Sequence, residues 1–373
     1  MSPVADYPFR HAGPVPPERM IDRTRELLLL GRAAGERTPV RLAAPRRYGK
    51  TTLLAAHARA LEQAGWRCVR VDLGGVSDVT GVARALLRAW AGQRDEGPVR
   101  RVRRLAARIG LELSLAGPRI QVAPAATARP AEQHQLLEEL LDLPERVAAA
   151  DDGSVLVVFD EFQDLLVADP QLDGRVRAAI QHHLRVAYVF AGSEPSLLAR
   201  MFERHEAPFF GQAEPLGLAP LPLEETIDEV ERRFAELDLD PGGAAAALAE
   251  VAAGHPQRTM LLCHLLARRL QDGAAGEDEE ELVDLVLVDA LEQTSEIHAA
   301  ALAGLSRSQR VVLGEIAHGR PPTARDLADR QGATRAAYQQ AAGALVAAGQ
   351  LLARDDDGGW RIIDPLLRLR LAR

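Results

Sequence analysis

The sequence predicts an α/β fold: a parallel sheet carrying a phosphate-binding loop, then a helical lid and a C-terminal winged helix-turn-helix. Three observations carry that expectation. The stretch Ala44-Pro45-Arg46-Arg47-Tyr48-Gly49-Lys50-Thr51-Thr52 joins a short apolar run at 40–44 to a helical one at 53–64. Residues 155–159 are continuously apolar, as in a strand buried on both faces, and end in Asp160-Glu161. From Leu223 onward the periodicity is helical until a short hairpin pattern near Arg373.

Taken in chain order, Phe9, Gly13-Pro14-Val15-Pro16-Pro17 and Ile21-Asp22-Arg23 read as an extended arm that enters an amphipathic helix at 24–30. Residues 40–44 form a buried strand. Strand, tight loop and helix in that order aim loop N–H groups and a helix N-terminus at phosphates. Gly49 lets the backbone approach closely. Lys50, expected to face solvent, reaches the β- and γ-phosphates of ATP, and the Thr51 hydroxyl is suited to Mg²⁺. Residues Ala44, Pro45, Arg46, Arg47, Tyr48, Gly49, Lys50, Thr51 and Thr52 together are the expected cradle. Ala44 stands where the usual pattern has its first glycine, but the φ-sensitive glycine is the one before lysine. Of 45 basic residues, all but Lys50 are arginine. Lysine is kept where a compact point charge serves and a planar guanidinium is too bulky.

Residues 68–73 form a further strand. The stretch 81–150 is largely helical, interrupted by a small hairpin at 111–115 and 119–122 around Ala116-Gly117-Pro118. Arg100, Arg101, Arg103, Arg104 and Arg108 before it either bind phosphate or form a solvated helix face. At the carboxyl end of a strand beside the phosphate loop, Asp160 would hold Mg²⁺ through water and Glu161 would orient and polarise the attacking water. A strand at 185–191 ends in Gly192-Ser193. Ser193 either contacts the γ-phosphate or lytic water, or caps the helix after Pro195.

Helices at 223–237, 242–253 and 256–271 make a lid, with Pro241 and Pro256 placed where a first turn tolerates them. Glu277-Asp278-Glu279-Glu280-Glu281 begins the next helix at its positive dipole end. Helices at 308–318, 324–330 and 334–348, followed by strands at 351–354 and 360–363, spell a winged helix. The expected organisation is an arm and first helix at 1–38, a core at 39–220 with an insertion near 95–130, a lid at 221–303 and a winged helix at 304–373.

The bulk composition excludes several classes. Hydrophobic residues make up 47% of the 373 and aromatics 4%, so cores of Leu, Val and Ala are expected. No run approaches the roughly 20 apolar residues of a membrane span, and residues 1–10 lack the pattern of a secretory signal. Cys68 and Cys263 make no metal or redox spacing and read as buried thiols of a cytoplasmic protein. A net charge of −8 argues against a surface built wholly to hold nucleic acid.

With these elements placed, the chain resembles the archaeal-type ATPases of the STAND branch of the AAA+ superfamily. The resemblance rests on the stretch 9–23, on Ala44 through Thr51, on Phe159-Asp160-Glu161-Phe162-Gln163, Ala191-Gly192-Ser193 and Gly254-His255-Pro256-Gln257, and on the C-terminal segment ending near Asp364-Pro365-Leu366. It implies a sheet ordered 5-1-4-3-2 and adenine held between arm and lid. It also implies a place for His255 and Pro256 at the nucleotide, a sensor role for Ser193, and slow ATP hydrolysis driving a switch. The family's Phe/Tyr-Gly-Arg ending after the sensor reads Phe210-Gly211-Gln212 here, leaving Arg200 or Arg204 as substitutes for an arginine finger in an oligomer.

Three functions compete: a hydrolysing switch, an ATP-binding scaffold with vestigial turnover, and a DNA-binding regulator. Residues 305–373 hold eleven arginines and seven acids, a net of +4. Yet the expected recognition helix at 334–348 has one charge, Arg335, beside Tyr338, Gln339 and Gln340, and Asp355-Asp356-Asp357 at the hairpin tip repels phosphates. A protein partner is therefore favoured over duplex DNA.

Overall fold

The computed structural model describes residues 7–13, 15–93, 97–108, 113–114, 121–122, 130–274, 278–322, 327, 334–355 and 357–373. Pro14, most of the expected hairpin around 111–120, the side chain of Arg108, Glu277, Asp356 and the expected helix at 324–330 apart from Leu327 lie outside the described residues. Two compact units emerge: Thr24–Ala44 with Leu53–Gly217, and Met1–Arg23 with Pro45–Thr52 and Leu218–Arg373.

In chain order the strands of the first unit are β1 (Val40–Ala43), β2 (Arg67–Asp72), the two-residue β3 (Leu113–Ser114) and β4 (Gln121–Val122), then β5 (Val155–Asp160), β6 (Val186–Gly192) and β7 (Glu214–Gly217). β3 and β4 pair antiparallel, so a hairpin is present where the sequence suggested one. The remaining five form a parallel sheet ordered β2-β5-β6-β1-β7, which is 5-1-4-3-2 when those five are numbered among themselves. β5 therefore does not lie directly beside β1; β6 separates them. Every residue of β5 and β6 is buried, which is why both read as unbroken apolar runs. β7 escaped sequence reading because Glu-Pro-Leu-Gly has little strand propensity, and an edge position tolerates its proline.

The core of this unit is more aromatic than the composition suggests. Five of the eight phenylalanines, Phe159, Phe162, Phe190, Phe202 and Phe209, gather around the end of the sheet, with Phe162 and Phe190 centroids 4.6 Å apart. Phe159 and Phe162, which flank the Asp160-Glu161 turn, lie with their centroids 5.6 Å apart.

In the second unit, helices Leu223–Ala235, Ala244–Ala252, Pro256–Arg269 and Glu279–Gln293 share a core that includes Val230, Phe234, Leu248, Leu262, Leu266 and Val286. The last begins in the acidic run, as its sequence suggests, and is capped by Asp278, which accepts from the N–H groups of Glu280 and Glu281. The arm is held by these helices. Phe9 packs on Phe234 at 4.5 Å. Arg233, 1% exposed, donates to the carbonyls of Pro8 at 2.9 Å and Arg19 at 2.5 Å, and to Glu229 at 2.7 Å.

C-terminal to these helices, Arg307–Ala317 opens on a Ser306/Gln309 capping box. Helix Arg335–Ala348 is capped by Thr334 and ends at Gly349, whose φ of 65° suits glycine. β8 (Leu352–Arg354) and β9 (Trp360–Ile362) pair antiparallel, and a final helix, Pro365–Ala372, follows. Val312, Leu313, Tyr338, Leu345, Leu352 and Ile362 make their own core.

Asp364 caps that final helix and gathers buried charge. It accepts from Arg258 Nε at 2.9 Å and from a second Arg258 nitrogen, from Leu366 N at 3.0 Å, and faces His298 Nε2 at 3.1 Å. Burial alone would raise its pKa, but the hydrogen bonds from His298 and Arg258 and the charge of Arg258 outweigh that and leave it lowered. A carboxylate depressed in the folded state contributes stability that is complete above the unfolded pKa of about 3.9 and declines as pH falls below it. Asp364→Asn strands buried Arg258 and is expected to cost about 3–5 kcal/mol. The urea midpoint at neutral pH reads this loss, and the difference between the two proteins should shrink as the medium becomes acid.

Candidate functional site

The chain leaves β1 through Ala44, which is buried and donates its N–H to the Gly192 carbonyl at 3.3 Å. The loop then turns tightly: Tyr48 N bonds Pro45 O at 3.4 Å, and both Arg47 (φ 69°) and Gly49 (φ 86°) take positive φ. At Gly49 that conformation is the reason for glycine. Helix Lys50–Gln63 begins with the lysine itself, so the N–H groups of its first turn have no intrahelical acceptor, and a helix N-terminus of this kind suits an anion. Arg46 and Arg47 are exposed, Thr51 half-buried and Thr52 buried. Lys50 is only 8% exposed, so the expectation of a solvent-facing lysine is corrected: the loop folds around its stem.

Within the same unit the loop meets residues of the later helices and of the C-terminal hairpin. The buried Tyr48 ring lies edge-on to His255 at 5.0 Å, and its hydroxyl accepts from Arg361 Nη1 of β9 at 2.9 Å. Arg361 also donates to Asp355 at 2.8 Å. His255 caps helix Pro256–Arg269, its Nδ1 accepting from Arg258 N at 3.3 Å. Burial lowers its pKa to about 4, so it is neutral at neutral pH. The preceding Gly254 (φ 70°) lies so close to residue 221 that a Cβ would come within 2.4 Å of Leu221 O, which accounts for the Gly-His-Pro sequence here. Cys263 is buried and Cys68 half-buried; burial pushes both thiols up to about 12.

The acidic residues belong to the sheet unit. Asp160 ends β5, 4% exposed; it accepts from Glu161 N at 3.1 Å and pairs with the Arg70 guanidinium of β2. Glu161 adopts left-handed backbone angles (φ 51°, ψ 45°), which cost a non-glycine residue roughly 1–2 kcal/mol. Its Oε2 accepts from Ser193 N at 2.9 Å, Ser193 Oγ at 2.8 Å and Gln163 Nε2 at 2.7 Å. Strained backbone fixed by several side-chain contacts is the pattern of a functional position. Ser193 is buried and not a helix cap: Glu194 holds the N-cap position of helix Pro195–Glu203, and the Ser193 hydroxyl goes to Glu161.

Arg200 and Arg204 are exposed at the end of that helix, as is Gln212. Of the arginines before the hairpin, Arg103 donates to the carbonyls of Trp90 and Ala91 and is structural, while Arg100, Arg101 and Arg104 are exposed. Sequence reasoning gave no role to Arg70 or Arg258 and named Gln163 only as part of the resemblance. Gln163 carried a signal, since a side chain two residues past Glu161 shares its turn.

Neither a family model nor a curated protein matches this sequence. Solved structures do share its fold. A Walker-type ATPase of Pyrococcus abyssi superposes with a TM-score of 0.70 at 19% identity, over 98% of this chain and 100% of that one. The ORC2 protein of Aeropyrum pernix, in its ADPNP–ADP complexes, gives 0.62 at 16% identity over 98% and 95%, and its ADP form 0.56 over 98% of both chains. At these identities the likeness is one of fold, that of the P-loop NTPases.

Proposed function

We propose that this protein binds ATP with Mg²⁺ and hydrolyses it slowly, as a switch of the STAND branch whose lid and winged helix respond to nucleotide state. The observation that carries this reading is the phosphate loop: a buried parallel strand, a turn with positive φ at Gly49, and a helix that starts on the chain's sole lysine. Titration of a fluorescent ATP analogue against the parent protein and Lys50→Ala tests it.

Lys50 and the first-turn N–H groups bind the β- and γ-phosphates, with residues 44–52 as cradle. The donor set suits Mg²⁺: the Thr51 hydroxyl and the Asp160 carboxylate are hard oxygen ligands, and a site of one carboxylate completed by phosphate oxygens and water is ordinary for this ion. When bound, Mg²⁺ neutralises charge on the phosphate oxygens. Glu161 orients the attacking water, and Ser193 holds Glu161. His255 and Pro256 line the nucleotide from the lid, with the arm opposite. The division into arm (1–38), core (39–220), lid (221–303) and winged helix (304–373) belongs to this proposal.

Slow turnover follows from Gln212 standing where a finger arginine would be, because such a finger contributes on the order of 10³–10⁵ in kcat. Arg200 and Arg204 are exposed and positioned for a neighbouring subunit if an oligomer forms. No helix among the described residues is long and apolar enough to cross a membrane, and the two unpaired thiols fit a reducing cytoplasm.

A regulator acting on duplex DNA is the second reading, and the C-terminal side chains disfavour it. Tyr338, expected on a recognition face, is buried; Arg361 is engaged by Asp355 and Tyr48; Arg354 stacks on Trp360 at 3.4 Å. Arg335 is exposed but alone. We therefore assign this segment a protein partner and expect duplex DNA binding to be weak and to fall steeply with salt. Fluorescence anisotropy with random and genomic duplexes at low and physiological salt measures this. Tight, sequence-selective binding at physiological salt would promote the DNA reading.

A further inference from the structure

We infer that Gln163 is a positioning residue for ATP hydrolysis, fixing the Glu161 carboxylate through one of its oxygens. The inference rests on the hydrolysis reading above and names the group that makes Glu161 effective. Three donors converge on Glu161 Oε2, two from Ser193 and one from Gln163 Nε2 at 2.7 Å. With one oxygen tied on three sides, the carboxylate plane is set and so is the direction of its other oxygen.

Two features show that a glutamine here does more than fill space. Gln163 is 5% exposed, and its Oε1 is a buried acceptor with no hydrogen-bond partner among the described residues. Burying an unsatisfied amide oxygen is unfavourable, so an apolar side chain would serve the core better. The chain also clears room for the amide. Gly192 has no positive φ to require glycine, yet a Cβ there would lie 2.3 Å from Gln163 Oε1. Gly192 at the end of β6, the amide of Gln163 and the left-handed turn at Glu161 thus form one device that delivers a single N–H to Glu161 Oε2.

Without that donor the carboxylate loses its fixed direction, and misplacement by about 1 Å can cost on the order of 100-fold in rate. Gln163→Leu is therefore expected to lower kcat by roughly 10- to 100-fold with KM for ATP unchanged. Gln163→Met, which keeps the length of the side chain but has no N–H to donate, should show the same loss.

The test measures kcat and KM of the parent, Gln163→Leu and Gln163→Met, with rates normalised to the fraction that binds an ATP analogue. Should Gln163→Leu fail to fold, Gln163→Met decides alone. A lowered kcat with unchanged KM supports the assignment. A parent that hydrolyses ATP while both variants match its kcat would overturn it. Absence of turnover in the parent would instead strike the hydrolysis reading, and this assignment with it.

Discussion

Lys50→Ala is expected to remove measurable ATP binding while leaving the protein folded. Removing one partner of a desolvated charge pair costs roughly 2–5 kcal/mol, which at about 1.4 kcal/mol per tenfold is on the order of 30- to 4,000-fold in Kd. No nearby lysine can substitute, because Lys50 is the only one in the chain. Alanine is the best helix former and starts helix Lys50–Gln63 without a backbone penalty. The stem of Lys50 is buried, so its truncation lowers the melting temperature by a few degrees rather than unfolding the chain. Titration with a fluorescent ATP analogue checks the affinity, and a melting curve of the same sample checks the fold. Equal affinity in both proteins would remove the phosphate-loop assignment.

Glu161→Gln is expected to keep ATP bound and to stop its hydrolysis. The amide oxygen can still accept from Ser193 and Gln163, so the left-handed turn keeps its clamp. What is lost is the negative oxygen that polarises water, a contribution of typically 10²–10⁴ in rate. The expected signature is a fall in kcat of that size with nucleotide affinity preserved. Unchanged turnover would show that another group activates the water.

The sequence made the sheet and its phosphate loop legible for a physical reason: β5 and β6 are buried on both faces and so read as unbroken apolar runs. β7 was hidden because an edge strand is specified by its neighbour and not by propensity. The same distinction holds at the site. Lys50, Thr51, Asp160 and Glu161 stood out by residue type and spacing, whereas the Tyr48–Arg361 contact joins residues 313 positions apart and no local pattern announces it. No local pattern announces Arg233 or Arg258 either, yet both are buried and hold backbone or carboxylate partners. Ser193 left two readings open, and its bonds to Glu161, with Glu194 at the N-cap of the next helix, set aside the capping role.

Phosphate release and bound nucleotide, measured together in Mg²⁺-containing buffer for the parent, Lys50→Ala and Glu161→Gln, test the ATP-switch reading most directly. The expected result is slow, Mg²⁺-dependent release by the parent, neither binding nor release by Lys50→Ala, and retained ATP without release by Glu161→Gln. Nucleotide retained equally by the parent and Lys50→Ala, or release by Glu161→Gln at the parent's rate, would contradict it.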